Sequence, residues 1–286
     1  MLKLGIIRSG GSGKSVSLAQ LASDCNDLLL WRRRIRVWGY EMTACNGDRL
    51  LNLWMHRFGL MGSAQKRTYE RLLRPGFTVV DVGANQGLYS LLFSRLVGPD
   101  GFVHSFEPDP TLFRALQTNC ERNRTRNITC YNYALGTKAE TRTLYHSRVN
   151  SGDNRLAISD RPDWFYEASV TTAPLDSLLG GSLVDFIKID VQGWEFEVLR
   201  GMTEVWKNNP EISVYFEFWP FGLRRAGCDP VELLQYVRQH GFSLYDMEGP
   251  AARPLADFGT FCSAITGYKS TNILAVRPDS EPSSVG

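Results

Sequence analysis

The stretch VVDVGANQG, residues 79–87, runs a short β-rich segment into a glycine turn that opens a helix-period stretch. A buried strand turning directly into a helix places that turn at the carboxyl edge of a parallel sheet, where open α/β proteins bind their ligands. A dinucleotide fingerprint beginning at Gly83 requires glycines at positions 85 and 88, and Asn85 and Leu88 stand there instead. The second glycine of that fingerprint lets a pyrophosphate approach the backbone, so its absence favours a ligand without phosphate. S-adenosylmethionine is such a ligand, an adenosine joined to methionine through a sulfonium. Asp81, Gly83, Ala84, Asn85 and Gly87 are the candidate residues of its turn.

A ribose diol in this crevice calls for a carboxylate at the end of the second strand. Glu107 closes FVHSFE, 26 residues after Asp81. Pro108 biases it toward an extended backbone, and Asp109 and Pro110 read as the cap and first residue of the next helix. Glu107 and Pro108 therefore join the cofactor candidates.

Outward from this centre, β-rich runs alternate with helix-period stretches from about residue 77, the pattern of a doubly wound, mostly parallel sheet. FTVVDV (77–82), FVHSFE (102–107), NITCYNYAL (127–135), VDFIKID (184–190), EISVYFEFW (211–219), FSLYDM (242–247) and TNILAVR (271–277) read as strands. Helices are expected around 87–97, 110–123, 194–206 and 229–240. A polar insertion containing a hairpin is expected to about residue 173.

A second cluster lies in FIKIDVQGWE, residues 186–195. A central parallel strand is covered on both faces, so a charge inside it must be paired or used. Lys188 and Asp190 share one face, and Glu217 repeats the oddity in VYFEFWP. The expected arrangement is a buried Lys188–Glu217 pair with Asp190 projecting from the strand tip. Asp190 is the first candidate for a general base, followed by Glu217 and His146.

These motifs, in order, resemble the FkbM family of S-adenosylmethionine-dependent methyltransferases over residues 67–277. The resemblance rests on PGFTVVDVGANQGLYS, HSFEPDP, NYALG, NSGDNRL, TTAPLDSLL, FIKIDVQGWE with LRGM, FEFWP and TNILAV. It implies a seven-stranded, Rossmann-like class I methyltransferase sheet whose last strand is antiparallel. It also implies methylation of a hydroxyl oxygen, often on a sugar or a polyketide-like metabolite, and it adds Ala134 of NYALG to the cofactor residues. Trp194 is bulkier than expected between Gly193 and Glu195. Residues 1–66 form an extension outside the resemblance, residues 67–278 the methyltransferase domain, and 279–286 a disordered tail.

The remaining features narrow the class. A net charge of +2 gives no argument for nucleic acid. The six cysteines hold no C-x-x-C pair, so neither a zinc site nor a disulfide framework is expected, and a cytoplasmic location is the default. No metal is expected. LLLWRRRIRVW, residues 28–38, could press on an anionic membrane surface, but the ordinary reading is a solvated face of a short helix or strand. IIRSGGSGKS, residues 6–15, has the look of a phosphate loop, yet Arg8 occupies the position of its first glycine. The expectation is thus an S-adenosylmethionine-dependent O-methyltransferase with a small-molecule or glycan acceptor. The competing classes are a nicotinamide-dependent oxidoreductase, a phosphate-loop hydrolase and a catalytically silent binding module of the same fold.

Overall fold

The computed structural model describes residues 34–44, 57–60, 62–147, 156, 165–179, 181–249 and 251–277. The chain divides between Ser63 and Ala64 into two units. In the first, β1 (Arg34–Val37) and β2 (Tyr40–Thr43) form an antiparallel hairpin. Ile35 and Val37 are buried while Arg34 and Arg36 are exposed. The described end of the arginine-rich run is therefore an alternating strand with a solvated basic face. The rest of that run, the stretch with Arg8 and Lys14, and the tail 279–286 lie outside the described residues.

The second unit opens within α1 (Ser63–Leu72) and continues with β3 (Thr78–Val82), α2 (Leu88–Val97), β4 (Phe102–Phe106) and α3 (Pro110–Arg122). Asp109 caps α3 as expected, its side chain accepting from the backbone N–H of Thr111 at 2.7 Å and of Leu112 at 3.1 Å. There follow β5 (Ile128–Tyr131), β6 (Ala134–Leu135), β7 (Glu140–Ser147), β8 (Phe165–Ala173), α4 (Leu175–Leu179) and β9 (Phe186–Ile189). The chain ends through α5 (Glu195–Arg200), α6 (Thr203–Asn208), β10 (Ser213–Phe218), α7 (Pro220–Arg225), α8 (Pro230–Gln239), β11 (Ser243–Asp246), β12 (Arg253–Pro254), α9 (Phe258–Ala264) and β13 (Thr271–Val276).

The main sheet has the order β12-β11-β13-β10-β9-β3-β4-β5. Its five strands from β10 to β5 run parallel, and β13 inserts antiparallel between β10 and β11. The expected seven strands become eight because the two-residue β12 pairs antiparallel with the outer edge of β11. All four residues of β9 are buried, the pattern of a strand covered on both faces. Tyr69 of α1 packs edge-on against Phe93 and Tyr215, with ring centroids 4.9 and 5.2 Å apart, and so covers one face of the sheet.

Two expected elements are each split in two. NITCYNYAL divides into β5, on the edge of the main sheet, and β6, which belongs to a three-stranded sheet with the hairpin β7–β8. The expected helix 194–206 breaks into α5 and α6 at Gly201, where a Cβ would collide with the carbonyl oxygen of Gly136. That close approach ties the smaller sheet to the helical layer.

Asn127, just before β5, holds the lower edge of the unit together. Its Nδ2 lies 2.8 to 3.3 Å from the carbonyls of Ser94, Gly98 and Gly101, and its Oδ1 accepts from Ser94 Oγ at 2.6 Å. Asn127→Ala leaves these carbonyls to find other partners, at a cost of about 2–3 kcal/mol. The expected drop in Tm is on the order of 5–10 °C, measured by calorimetry or circular dichroism. A change under about 1 °C would show that Asn127 does not carry this edge.

Candidate functional site

The site lies at the carboxyl ends of β3, β4, β9 and β10. Gly83 takes φ +75°, and a Cβ there would strike the carbonyl oxygen of Asp190. Glycine is thus required first by the approach of two chain segments, before any ligand is considered. The N–H groups of Gly83 and Ala84 both donate to the carbonyl of Phe106, at 3.0 and 2.9 Å, which pins the turn to the end of β4. Ala84 is buried.

Asn85 has φ +54°, a conformation asparagine tolerates better than most side chains. Its Oδ1 accepts from the backbone N–H of Gln86 at 2.8 Å, so its side chain serves the turn itself. Its own backbone N–H donates to Glu107 Oε2 at 2.8 Å. Glu107 Oε1 accepts from the backbone N–H of Asp109 at 2.9 Å, and Asn132 Nδ2 donates to the carbonyls of Glu107 and Pro108, each at 2.9 Å. The carboxylate expected at the tip of the second strand is therefore buried and oriented by two backbone donors.

Asp81 is wholly buried in the strand below the turn, where it accepts from Ser90 Oγ at 2.6 Å. Directly opposite it in the β3–β9 register stands Lys188, with Nζ 3.2 Å from Asp81 Oδ1. Lys188 Nζ also donates to the carbonyl of Gly83 at 3.1 Å. This corrects the expected Lys188–Glu217 pair. The register sets Tyr215 beside Lys188 and carries Glu217 past the end of β9, so the opposite charge in reach is Asp81. Burial works against the ammonium charge of Lys188, but Asp81 and Asp190 outweigh it and hold the pKa above its ordinary value.

Asp190 and Glu217 come together at the strand tips. Gln192, at φ +56°, donates from Nε2 to Asp190 Oδ1 at 2.9 Å and to Glu217 Oε2 at 2.8 Å. Ser270 Oγ donates to the other oxygen of Glu217 at 2.8 Å. The Asp190 side chain is 43% exposed, and Lys188 Nζ stands 3.9 Å from its Oδ2. Burial and then the neighbouring Asp190 push Glu217 up to about 8. Glu195 lies wholly buried behind the loop, accepting from the N–H groups of Val191 and Gly193 at 3.2 Å each, and burial pushes it up to about 7.

Two sequence candidates stand apart from this group. Ala134 packs in a small apolar cluster with Leu144 and Val170. His146 lies on β7 with its backbone opposite Tyr166, and its side chain is outside the described residues. Trp194 is buried, and Arg142 of β7 stands over its ring at 4.6 Å, so its bulk joins the smaller sheet to the β9–α5 loop. Gln192, Ser270 and Glu195 were missed from the sequence. Gln192 sits inside a quoted motif, but only its left-handed backbone turns its amide onto two carboxylates. Ser270 carries no signal of its own and reaches Glu217 because β13 lies beside β10.

The residues present fit S-adenosylmethionine. Glu107, buried at the tip of the second strand and oriented beside the glycine turn, stands where a ribose diol would be held, and a carboxylate offers about four acceptor sites. The turn uses Asn85 where a phosphate ligand needs a bare backbone.

Comparison with known proteins agrees with this geometry. The methyltransferase FkbM domain matches residues 81–244. The 31-O-demethyl-FK506 methyltransferase FkbM of Streptomyces tacrolimicus is 27% identical over 208 residues, covering 62% of this chain and 77% of that protein. Methyltransferase 1 of Beauveria bassiana is 25% identical over 146 residues, 44% of this chain and 58% of that one. Among solved structures, an S-adenosylmethionine-dependent O-methyltransferase from Thermotoga maritima has TM-score 0.42 and 11% identity, covering 86% of this chain and 77% of its own. TYW2 of M. jannaschii in complex with AdoMet has TM-score 0.43 and 11% identity, covering 85% and 84%. Scores this low do not bear on the assignment, which rests on the domain match spanning more than half the chain. The chain belongs to the FkbM family of methyltransferases, with S-adenosylmethionine as its cofactor.

Proposed function

We propose that this protein transfers a methyl group to a hydroxyl oxygen of a small molecule, with Asp190 as the general base. The observation that carries the reading is the pair of carboxylates at the strand tips, joined through the Gln192 amide beside the glycine turn. The name of the relative from Streptomyces tacrolimicus, which specifies an O-demethylated acceptor, supports oxygen as the target.

The cofactor supplies a methyl group on a positively charged sulfur, which transfers without a metal. The protein's part is alignment and proton removal. Glu107 would hold the ribose, and the turn Gly83–Gly87 would set the depth of the crevice. The Asp190 carboxylate would take the proton that the acceptor hydroxyl gives up as its oxygen is methylated. Asp190 suits this role because it is the more exposed of the pair. Glu217, raised to about 8, keeps its proton at neutral pH and can hold the acceptor by hydrogen bonds. Residues 67–278 form the catalytic part in this reading, and the acceptor is an oxygen-rich small molecule such as a sugar-bearing or polyketide-like compound.

Asp190→Asn is expected to leave cofactor affinity within a few-fold while lowering turnover by roughly a hundred-fold or more. Formation of S-adenosylhomocysteine against a library of hydroxyl acceptors measures it, and equal loss of affinity and turnover would move Asp190 to the cofactor pocket. Glu107→Gln keeps the size of the side chain but turns an acceptor into a donor facing two backbone N–H groups. Calorimetric affinity for S-adenosylmethionine should fall by about ten-fold or more, and an unchanged value would remove Glu107 from the site.

Glu217 generates a pH prediction. Its folded pKa of about 8 lies above the ordinary glutamate value, so between the two the folded state binds more protons than the unfolded one. Stability from this group is therefore full at acid pH and lost as pH rises toward 8. Glu217→Gln mimics the protonated form and removes the loss. Its Tm should exceed that of the wild type by on the order of 5 °C at pH 8.5, with the gap closing near pH 5. A gap independent of pH would show that Glu217 is not held protonated.

A further inference from the structure

A cavity of about 710 Å³ opens between β11, β12, α9 and the segment leading into β13. That volume is in the range that takes a small organic molecule. Ser270 stands on its wall and donates to Glu217 Oε1, so one side chain separates the cavity from the carboxylate pair. Phe261, also on the wall, stacks on Phe218, the residue after Glu217, with ring centroids 5.8 Å apart. The cavity and the proposed reaction centre thus share two contacts.

The lining states what chemistry the cavity accepts. Asp246 is buried and already engaged by Thr271 Oγ1 at 2.7 Å and by Arg253 Nη2 at 2.6 Å. Asp257 is taken up by Thr260, through its backbone N–H at 3.1 Å and its hydroxyl at 2.6 Å. The other two charged lining residues are Glu248 and Lys269, one of each sign. Asp246, Glu248 and Asp257 against Arg253 and Lys269 leave the wall with one net negative charge, which disfavours an anion, and two of the three carboxylates are already engaged. It combines hydroxyls, including those of Thr260 and Ser270, with apolar surface from Leu255, Phe261 and Ile265.

We propose that this cavity is a subsite for the non-reacting part of the acceptor. Its occupant is a neutral molecule that bears hydroxyl or ether oxygens on an apolar frame of about one to two rings. Ser270 links occupancy to the carboxylate pair, because a ligand hydrogen-bonding to Ser270 sits next to Glu217. The inference rests on the hydroxyl-methylation reading, which assigned Asp190 and Glu217 to the reaction, and the test separates the two.

The experiment fills the cavity from two sides. Ala264 and Ala256 both line it and are exposed, so Ala264→Trp and Ala256→Trp occupy its space without disturbing the core. The probe is phenyl β-D-glucopyranoside, neutral with an apolar ring, and phenyl phosphate is its charged counterpart. Binding is followed by saturation-transfer NMR in the presence of S-adenosylhomocysteine. The neutral probe should bind the wild type in preference to the phosphate, and its affinity should fall about five-fold or more in each variant. Calorimetric affinity for S-adenosylmethionine should be unchanged. Absence of binding by the neutral probe, equal binding in wild type and both variants, or preference for the phosphate would overturn the subsite. Loss of probe binding in the variants, with no hydroxyl acceptor methylated by the wild type, would keep the subsite and fell the methylation reading instead.

Discussion

The ion pair between Lys188 and Asp81 joins the two strands from which the glycine turn and the Asp190 loop depart. An ammonium in a strand covered on both faces loses its hydration, and an interior carboxylate does the same. The register of β3 on β9 places the two directly opposite, and the remaining donor capacity of Lys188 reaches the carbonyl of Gly83. Removing one partner of such a pair costs about 3–5 kcal/mol, because the other charge is left buried and alone. An apolar pair of similar volume would serve stability as well, so stability alone does not account for it. Its distinct contribution is positional, since it ties the last carbonyl groups of β3 to β9 and so fixes the path of the turn that follows.

The same ion pair shapes the surroundings of the carboxyl groups at the strand tips. Asp81 takes most of the field of Lys188 at 3.2 Å, leaving Asp190 the weaker end at 3.9 Å. Glu217 lies farther along and keeps mainly its burial and a negative neighbour. Burial and that negative neighbour both favour the protonated form of Glu217. Glu195 behind them is raised for the same first reason, burial, and stays low enough to sit near 7 because two backbone N–H groups hold it. The crevice thus runs from the half-exposed side chain of Asp190 to the wholly buried Glu195.

Much of this was legible in the sequence, for identifiable reasons. Gly83, Asn85 and Glu107 belong to local strand–turn–helix patterns, and local patterns announce themselves through period and turn residues. The antiparallel last strand came only with the family resemblance. What failed was long-range. Lys188 was paired with Glu217 because both are charges in neighbouring strands, whereas the partner is set by register, which the strand sequences do not state. The break of the helix at Gly201 coincides with its close approach to Gly136, a contact between segments far apart in sequence, and the split of NITCYNYAL is likewise a matter of which sheet each half pairs with. β12 escaped because a two-residue strand has no period.

Gln192 shows why the residue at the centre of the carboxylate pair is a neutral amide. A lysine there would have set a positive charge beside Glu217 and worked against the burial that raises it. A glutamate would have crowded a further negative charge beside Asp190 and Glu217. The glutamine amide gives each carboxyl one hydrogen bond of nearly equal length, 2.9 and 2.8 Å, and adds no charge. It therefore fixes the positions of the two groups without opposing the burial that raises Glu217. The strain of a non-glycine residue at φ +56° is the local cost of aiming that amide, a cost of order 1–3 kcal/mol that persists only where surrounding structure enforces it. The enforcement is present on both sides of Gln192. Glu195 holds the N–H groups of Val191 and Gly193, and the buried ion pair holds the strand from which the loop departs.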